Sequence, residues 1–187
     1  KKSGKFNVLF YGSFRPGQGL EIITKAARLL SKSKEIKFVL AGSGPMLDEV
    51  KESVKSLSNV ELTGWIAKEK LASVIADADV CLGQFSKLEK IDRVIATKAF
   101  ECLAMGKPII TGDGTGIREL VENGKDAMLI EKGSEIALVN AILTLKKDSA
   151  LRENLSKNAI AKYQSEFTDE KIGEDMLKVV ESAIGAN

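Results

Sequence analysis

Histidine is absent from the 187 residues, and cysteine occurs only twice, as Cys81 and Cys102. Without an imidazole, the sequence offers no Ser–His–Asp or Cys–His catalytic arrangement and no histidine metal site. The two cysteines are too few and too far apart along the chain to bind zinc, and both lie in apolar stretches. We therefore interpret them as small buried hydrophobic residues in a reducing, cytoplasmic compartment.

A strong charge and a long apolar run are both missing. Lysine and arginine total 28 against 26 acidic residues, and the net charge of +2 provides no electrostatic basis for binding nucleic acid or an anionic membrane. No stretch reaches the roughly 18 consecutive apolar residues of a transmembrane helix. The composition that is present, 44% hydrophobic and 29% charged, is typical of a globular domain that buries a core without disulfides.

Short apolar runs alternate with helical patterns along the chain. The runs predict six strands, at residues 7–11, 36–41, 60–63, 80–82, 108–111 and 127–130. Helices are predicted at residues 19–30, 46–54, 71–76, 98–105, 117–122, 134–146, 149–164 and 168–184, while residues 84–93 are predicted to be irregular. Ser134, Ser149 and Thr168 are the expected N-caps of the last three helices. The alternation predicts an α/β fold, namely one Rossmann-like domain over residues 1–187 with a parallel six-stranded sheet, helices on both faces and C-terminal helices.

Ligands of such sheets bind beyond the carboxyl ends of the strands, near helix N-termini. There, residues 12–19 contain three glycines and Arg15, which could pair with a diphosphate, although a tight turn with a solvated arginine is equally compatible. Residues 42–45 do not match the dinucleotide fingerprint and are also compatible with a plain strand-to-helix turn. Residues 111–116, with three glycines and Asp113, suit either a sugar-facing loop or a flexible connection.

The segment from Arg93 to Pro108 carries the strongest indication of a binding site. Lys98 lies at the start of a predicted helix, where the helix dipole disfavours a cation and a bound anion would compensate. Glu101 follows three residues later among apolar neighbours, and a carboxylate in that position can accept two hydroxyls of a ribose. The alternative is a helix with one surface Lys–Glu pair, and we favour the binding site.

Several motifs together resemble the group 1 glycosyltransferases of family 4 in order and spacing. They cover nearly the whole chain, and the segment from Lys98 to Pro108 is the most specific of them. The motifs are Phe10-Tyr11-Gly12, Gly17-Gln18-Gly19, Ala41-Gly42-Ser43-Gly44-Pro45, Leu62-Thr63-Gly64-Trp65, Asp77-Ala78-Asp79-Val80, Lys98-Ala99-Phe100-Glu101-Cys102-Leu103-Ala104-Met105-Gly106-Lys107-Pro108, Arg118-Glu119-Leu120, Asn123-Gly124 and Phe167-Thr168.

The resemblance implies an enzyme with two Rossmann-like halves that face each other across a cleft. This chain would be the C-terminal half, which binds a UDP- or GDP-linked sugar. The N-terminal half would bind the acceptor and would make any contact with the inner face of the membrane. The full-length protein would transfer a hexose with retention at the anomeric carbon, without a metal ion or other cofactor, whereas the isolated chain is expected to be inactive. The implied acceptor is a cell-envelope polysaccharide, a glycolipid or a similar molecule.

The resemblance also implies roles for individual residues of this chain. Glu101 would bind the ribose, and Trp65 would flank the base. From electrostatics, and not from the resemblance, we expect Arg15, Arg93 and Lys98 to stabilise the charge on the leaving nucleoside diphosphate. The donor-binding set as a whole is Gly12, Ser13, Arg15, Gln18, Gly19, Gly42, Gly44, Trp65, Arg93, Thr97, Lys98 and Glu101.

Three of these positions depart from the usual pattern of the family. Ser13 and Gln18 stand where an arginine and a lysine are usual, and Arg93 stands where a first glutamate is often found. We interpret the changes as a variant site in which Arg15, Arg93 or Lys98 compensates.

Other classes of protein stay open at this point. A dinucleotide-binding dehydrogenase domain would need a fingerprint helix after the first strand and an acid at the end of the second, where Ala41 and Gly42 stand. A non-catalytic sugar-nucleotide-binding module of the same fold is compatible with Ser13, Gln18 and Arg93. A sugar-nucleotide epimerase of similar architecture is a further alternative.

Overall fold

Strands and helices follow one another in the alternating order that the sequence predicts. The computed structural model describes residues 4–185. Its strands are β1 (Phe6–Tyr11), β2 (Ile36–Ala41), β3 (Val60–Gly64), β4 (Val80–Leu82), β5 (Ile109–Gly112) and β6 (Met128–Ile130). Its helices are α1 (Leu20–Leu29), α2 (Leu47–Val54), α3 (Lys68–Ala76), α4 (Glu89–Asp92), α5 (Thr97–Ala104), α6 (Thr115–Leu120), α7 (Glu135–Lys147), α8 (Ser149–Glu166) and α9 (Asp169–Gly185).

The strands form one parallel sheet in the order β3-β2-β1-β4-β5-β6. The chain begins in the middle with β1, builds outward through β2 and β3, and then returns to the other side of β1 with β4, β5 and β6. The strand order therefore reverses between β1 and β4, and the diverging connections leave a crevice at the carboxyl ends of these strands. The predicted Rossmann-like parallel six-stranded sheet with surrounding helices is confirmed.

Strand β1 is buried along its whole length because strands flank it on both sides and helices cover both faces. Successive side chains of a strand point to opposite faces of the sheet. Val8 and Phe10 accordingly join an apolar cluster with α1 and α7, whereas Leu9 and Tyr11 join a second cluster with α3 and α5. Both cysteines are free and buried in this second cluster, as the sequence predicts.

Two local features differ from the sequence prediction. The segment predicted to be irregular contains the short helix α4. Helix α8 is capped by Asp148, whose Oδ1 accepts a hydrogen bond of 2.8 Å from Leu151 N–H, and not by Ser149. Asp148 has the extended backbone that a cap residue needs, and Ser149 is already the first helical residue. Ser134 and Thr168 accept hydrogen bonds from backbone N–H groups three residues on, as predicted.

The last helix, α9, has an apolar face that no other described element covers. None of its residues is buried, and Met176 and Val179 are 65% and 70% exposed. Ile172, Met176 and Val179 recur at helical spacing and therefore lie on one face. Among the residues that the structure describes, no helix combines the length and the apolar character needed to cross a membrane.

Candidate functional site

An open cleft of about 400 Å³ lies at the carboxyl ends of β1 and β4, where the strand order reverses. The loop after β1 forms one side, and the residues between β4 and α5, together with the N-terminus of α5, form the other. A recess of about 350 Å³ adjoins the cleft and shares Gly12 and Ser13 with it. The predicted residues that line the cleft are Gly12, Ser13, Arg15, Gln18, Thr97, Lys98 and Glu101, and the recess adds Gly42 and Trp65.

The loop after β1 is pressed against the loop after β2 by backbone contacts and one buried ring. Phe14 N–H donates to the Ser43 carbonyl over 2.8 Å, and Met46 N–H donates to the Phe14 carbonyl over 2.9 Å. The Phe14 ring is fully buried. A Cβ at Gly42 would lie 1.9 Å from the carbonyl oxygen of Gly12, so no side chain fits at this position. The close approach of the two loops at the floor of the site therefore requires a glycine at position 42.

Two of the predicted binding glycines serve packing in the structure. A Cβ at Gly44 would lie 2.5 Å from the carbonyl oxygen of Phe14, and a Cβ at Gly19 would lie 2.7 Å from the Cβ of Phe85. Neither glycine lines the cleft or the recess. They allow the first loop to close against its neighbours, and a direct contact with a ligand stays a prediction.

Lys98 places an amine beneath the floor of the cleft. The residue is only 7% exposed, and its Nζ donates a hydrogen bond of 3.1 Å to Gln18 Oε1. The same Nζ lies 3.8 Å from the centroid of the Phe10 ring and 3.5 Å from where a Cβ on Gly12 would stand. Burial lowers the pKa of Lys98 to about 7, because an ammonium is poorly solvated there.

Lys98 and Glu101 do not form the surface ion pair that was the alternative interpretation of this helix. Within residues 4–185, the Lys98 amine forms no ion pair with Glu101 or any other carboxylate. Glu101 lies one turn further along α5, half-buried, and lines the cleft. The helix therefore directs an amine and a carboxylate to the same cleft without pairing them.

The N-terminus of α5 also faces the cleft. Ala96 occupies the N-cap position with an extended backbone, and its side chain cannot cap the helix. Ala96 and Thr97 both line the cleft. The first N–H groups of a helix lack intrahelical acceptors, and together with the helix dipole they favour an anion.

Arg93 is not brought together with Lys98. It lies at the end of α4, and its exposed guanidinium donates to the Glu89 carboxylate over 2.5 Å. Its neighbour Val94 lines the cleft, but Arg93 does not. The proposed contact between Arg93 and a donor therefore stays a prediction.

Two acidic side chains, Asp92 on α4 and Asp113 after β5, are engaged with cations. Asp92 forms an ion pair with Lys132 and accepts a hydrogen bond of 3.2 Å from the Thr115 hydroxyl, and hydrogen bonding to Lys132 lowers its pKa. Asp113, in the loop considered as sugar-facing, accepts two hydrogen bonds of 2.5 Å from Arg118, which also lowers its pKa.

Within the described part of the chain, no group of three or more Asp, Glu, Cys or His residues could hold a metal ion. Transfer without a metal stays a prediction.

Sequence analysis missed several residues that line the cleft. Gln84 follows β4 after a single glycine, and its backbone is tied to Thr111 on β5 by two hydrogen bonds of 3.2 Å. Tyr11 ends β1, and residues 94–96 lead into α5. The rule that ligands bind at the carboxyl ends of strands was the signal that could have identified Gln84 and Tyr11.

The family model described as "Glycosyl transferases group 1" matches residues 1–162. The match covers most of the 187 residues, and the chain therefore belongs to the group 1 glycosyltransferase family. This membership confirms the resemblance carried by the sequence motifs.

Known relatives agree with this membership. An alpha-D-kanosaminyltransferase of Streptomyces kanamyceticus is 24% identical over 176 residues, which cover 92% of this chain and 44% of the relative. The lipopolysaccharide core biosynthesis glycosyltransferase LpsD of Rhizobium meliloti is 25% identical over 164 residues, 84% of this chain and 46% of LpsD. The crystal structure of Anabaena Alr3699/HepE in complex with UDP has the same fold, with a TM-score of 0.84 and 21% identity over 96% of this chain and 50% of HepE. The chain thus spans about half the length of the relatives it matches.

Proposed function

We propose that this chain is the donor-binding half of a retaining glycosyltransferase, and that its cleft binds a sugar linked to a nucleoside diphosphate. The observation that carries the proposal is the meeting of the buried Lys98 amine, the N-terminus of α5 and the Glu101 carboxylate around one cleft. Membership of the group 1 family supports it, as does the UDP bound by the structurally similar Anabaena protein.

The parts of the donor would divide between the cleft and the recess. The diphosphate would lie at the N-terminus of α5, above Lys98, where the helix dipole and the amine both favour negative charge. Glu101 would accept hydroxyls of the ribose. Trp65 is 75% exposed beside the recess and offers its ring for stacking on the base. Ser13 and Gln18 would act as neutral hydrogen-bonding groups at positions where the family usually carries cations.

In the reaction, the bond between the anomeric carbon and a phosphate oxygen breaks, and negative charge grows on the leaving diphosphate. Fixed positive groups aimed at that charge lower the barrier. Lys98 and the N-terminus of α5, which both face the cleft, would supply such positive groups. Arg15 is exposed on the first loop and Arg93 pairs with Glu89, so both guanidinium groups would have to turn towards the diphosphate to contribute. The transferred sugar is proposed to be a hexose, from a UDP- or GDP-linked donor, with no metal ion required.

The acceptor would be bound by an N-terminal half of the same protein, which would close over the cleft and bring the reactants together. The uncovered apolar face of α9 supports such a partner, because exposed apolar patches commonly mark interfaces. A cell-envelope polysaccharide or glycolipid acceptor and a cytoplasmic location belong to the same proposal, and the Rhizobium relative's role in lipopolysaccharide core biosynthesis supports them. Alone, this chain would bind the donor weakly and transfer nothing.

Isothermal titration calorimetry of the chain with UDP, GDP, ADP and their sugar conjugates tests the proposal. We expect one of these nucleotides to bind, and Glu101→Ala to weaken its binding by about tenfold or more, since a hydrogen bond to a charged group contributes roughly 1.5–3 kcal/mol. Glu119→Ala is the matched control, because Glu119 is exposed on α6 and does not line the cleft.

NAD is titrated in the same series, to separate a donor site from a dehydrogenase domain. Binding of NAD alone, or of none of these compounds, would show that the proposal is wrong. Activity of the full-length protein separates an enzyme from a non-catalytic module, since only an enzyme loses sugar transfer in the Glu101→Ala variant.

A further inference from the structure

We propose that the Lys98 amine takes up a proton when a diphosphate enters the cleft, so that donor binding is coupled to the charging of this one side chain. The inference rests on the proposed function, because it takes the cleft to be a diphosphate site. It goes further by stating how the site changes its own charge when the donor arrives. Two features of the structure carry it, namely the burial of the amine without a counter-charge and its position at the cleft.

An ammonium that is removed from water needs an opposite charge or several hydrogen bonds. Lys98 is 7% exposed, and within residues 4–185 its amine has one hydrogen-bond acceptor, the neutral Gln18 oxygen at 3.1 Å. The ring faces of Phe10 and Tyr11, with centroids at 3.8 and 5.9 Å, add a cation–π attraction. These contacts replace only part of the lost hydration, which is why the pKa of Lys98 falls to about 7. In neutral solution, a substantial share of ligand-free molecules therefore carries a neutral amine.

The titratable groups around Lys98 do not supply the missing counter-charge. Burial raises the pKa of Tyr11 on β1, and a hydrogen bond with Cys102 together with burial raises that of Cys81 on β4, so both groups are neutral near pH 7. The positive charge of Arg15 on the first loop disfavours a charged Lys98 and lowers its pKa. The Glu101 carboxylate on α5 favours a charged Lys98, but it forms no ion pair with the amine. The groups that face Lys98 are Tyr11, Arg15, Cys81, Glu101 and Cys102.

A diphosphate in the cleft would provide that counter-charge. Lys98 and Gln18 both line the cleft, and the Lys98 Nζ lies next to Gly12 at the end of β1. Negative phosphates bound in this cleft would favour the ammonium and raise the pKa of Lys98 above its ligand-free value. At a pH between the ligand-free and the donor-bound pKa of Lys98, one proton passes from solution to Nζ for each donor bound. Uptake therefore approaches one proton at about pH 8 and falls towards zero at about pH 6, where Lys98 is already charged.

Calorimetry in two buffers tests the coupling directly. UDP-glucose and GDP-mannose are the probes, and the one that binds is used, because neither has a phosphate group that titrates near neutral pH. Titrations at about pH 8 in Tris and in HEPES, whose ionisation enthalpies differ, should give heats that differ by close to one proton's worth of buffer ionisation. A second pair of titrations at about pH 6, in MES and Bis-Tris, which buffer at that pH and also differ in ionisation enthalpy, should give nearly equal heats. As the pH rises above 7, the apparent Kd should increase by up to about tenfold per pH unit.

Two variants test whether Lys98 is the group that takes up the proton. Lys98→Arg keeps a cation that cannot lose its proton, so it should bind the donor without uptake at either pH. Gln18→Glu puts a carboxylate beside Nζ, which charges Lys98 before the donor arrives and should abolish uptake while weakening binding. Lys125→Arg is the control, since Lys125 is exposed and paired with Glu122 away from the cleft, and it should keep the wild-type uptake.

The outcomes separate this inference from the function on which it rests. Equal heats in the two buffers at about pH 8 would overturn proton coupling and leave donor binding intact. Uptake that persists in both Lys98→Arg and Gln18→Glu would also overturn it, because the proton would then reside elsewhere. If neither sugar nucleotide binds, the proposed function is wrong and the inference is overturned with it.

Discussion

The first wall of the cleft, residues 12–19, is held in place by burial, whereas the second wall, residues 84–96, is buried only at its start and is tied further on by an ion pair. Phe14 anchors the first wall with a fully buried ring and with backbone hydrogen bonds to the loop after β2. The second wall also contains one buried ring, that of Phe85, but most of its later residues are exposed, including Leu88 at 54%. An ion pair between Asp92 and Lys132 ties this part of the second wall to the residues after β6.

The contrast indicates which wall can respond to a ligand. A Cβ at Gly42 or Gly44 would collide with the backbone of Gly12 or Phe14, so the first wall fits closely against the loop after β2 and has little room to rearrange. Ion pairs that are partly or fully exposed contribute little and are screened by salt. We therefore expect the first wall to be preformed and the exposed part of the second wall around α4 to adjust, which could carry Arg93 towards the diphosphate.

The largest effect is expected from Gly42→Ala. Its Cβ would lie 1.9 Å from the Gly12 carbonyl oxygen, so the contact between the first wall and the loop after β2 would have to open. We expect a loss of about 4 kcal/mol or more in the free energy of unfolding, measured by urea denaturation. Gly64→Ala is the control, because Gly64 has a φ of +71° but no atom within 4 Å of the added Cβ, and it should cost only about 1–2 kcal/mol. Equal losses in the two variants would show that packing does not hold the first wall.

The next largest effect is the pH dependence of stability that is due to Lys98, whose buried amine donates a hydrogen bond to Gln18 of the first wall. Lys98 has a pKa of about 7 in the folded chain, below the ordinary lysine value, so between these values the unfolded chain binds a proton that the folded chain lacks. This group's contribution to the free energy of unfolding is therefore most unfavourable below about pH 7 and improves as the pH rises, by up to about 1.4 kcal/mol per pH unit.

Urea denaturation of wild type and Lys98→Met at several pH values measures this contribution. The stability of wild type relative to Lys98→Met should increase between about pH 7 and pH 9. Comparison with the variant removes the effects of Tyr11 and Cys81, which titrate in both proteins. Parallel curves would mean that Lys98 is fully charged in the folded chain.

A smaller effect is expected from Asp92→Asn in the second wall. The variant keeps the side-chain shape but loses the ion pair with Lys132, so its melting temperature should fall by a few degrees at most. Because the carboxylate has a lowered pKa, its stabilising effect is present above the ordinary aspartate pKa and is lost as the pH falls through the lowered value. Melting curves at about 0.1 M and about 1 M NaCl should converge between wild type and variant as salt screens the pair. A difference that is independent of salt would argue against an ion pair as the tie of this wall.

The smallest effect on stability is expected from Arg93→Ala. Its ion pair with Glu89 is exposed, and such pairs contribute at most about 0.5 kcal/mol. A double-mutant cycle with Glu89→Ala measures that contribution, and calorimetry with the donor measures any role in binding. A large loss of affinity with little loss of stability would show that the second wall moves Arg93 to the ligand. A large loss of stability would contradict the assignment of this pair to the exposed surface.

Much of the fold follows from local patterns. The prediction matches β2 (Ile36–Ala41) and β4 (Val80–Leu82) at both ends, because each is a short apolar run that turn residues bound closely. Helix α4 (Glu89–Asp92) escaped prediction because four residues are too few to show a helical period. The cap of α8 was predicted one residue late because Asp148 and Ser149 are both good caps, and only the backbone conformation separates them.

Alone, the sequence was enough to establish the parallel sheet, the family and the importance of the segment that opens α5, because periodicity, glycine positions and motif spacing are local properties. The tertiary structure was needed to show that Lys98 turns inward to meet Gln18, 80 residues away along the chain, and that Arg93 turns outward to Glu89. It was also needed to show that Gly44 serves the packing of Phe14. The physical reason is that the charge and partners of a side chain depend on what distant elements place around it, and burial of that kind arises only when the sheet and helices have packed together.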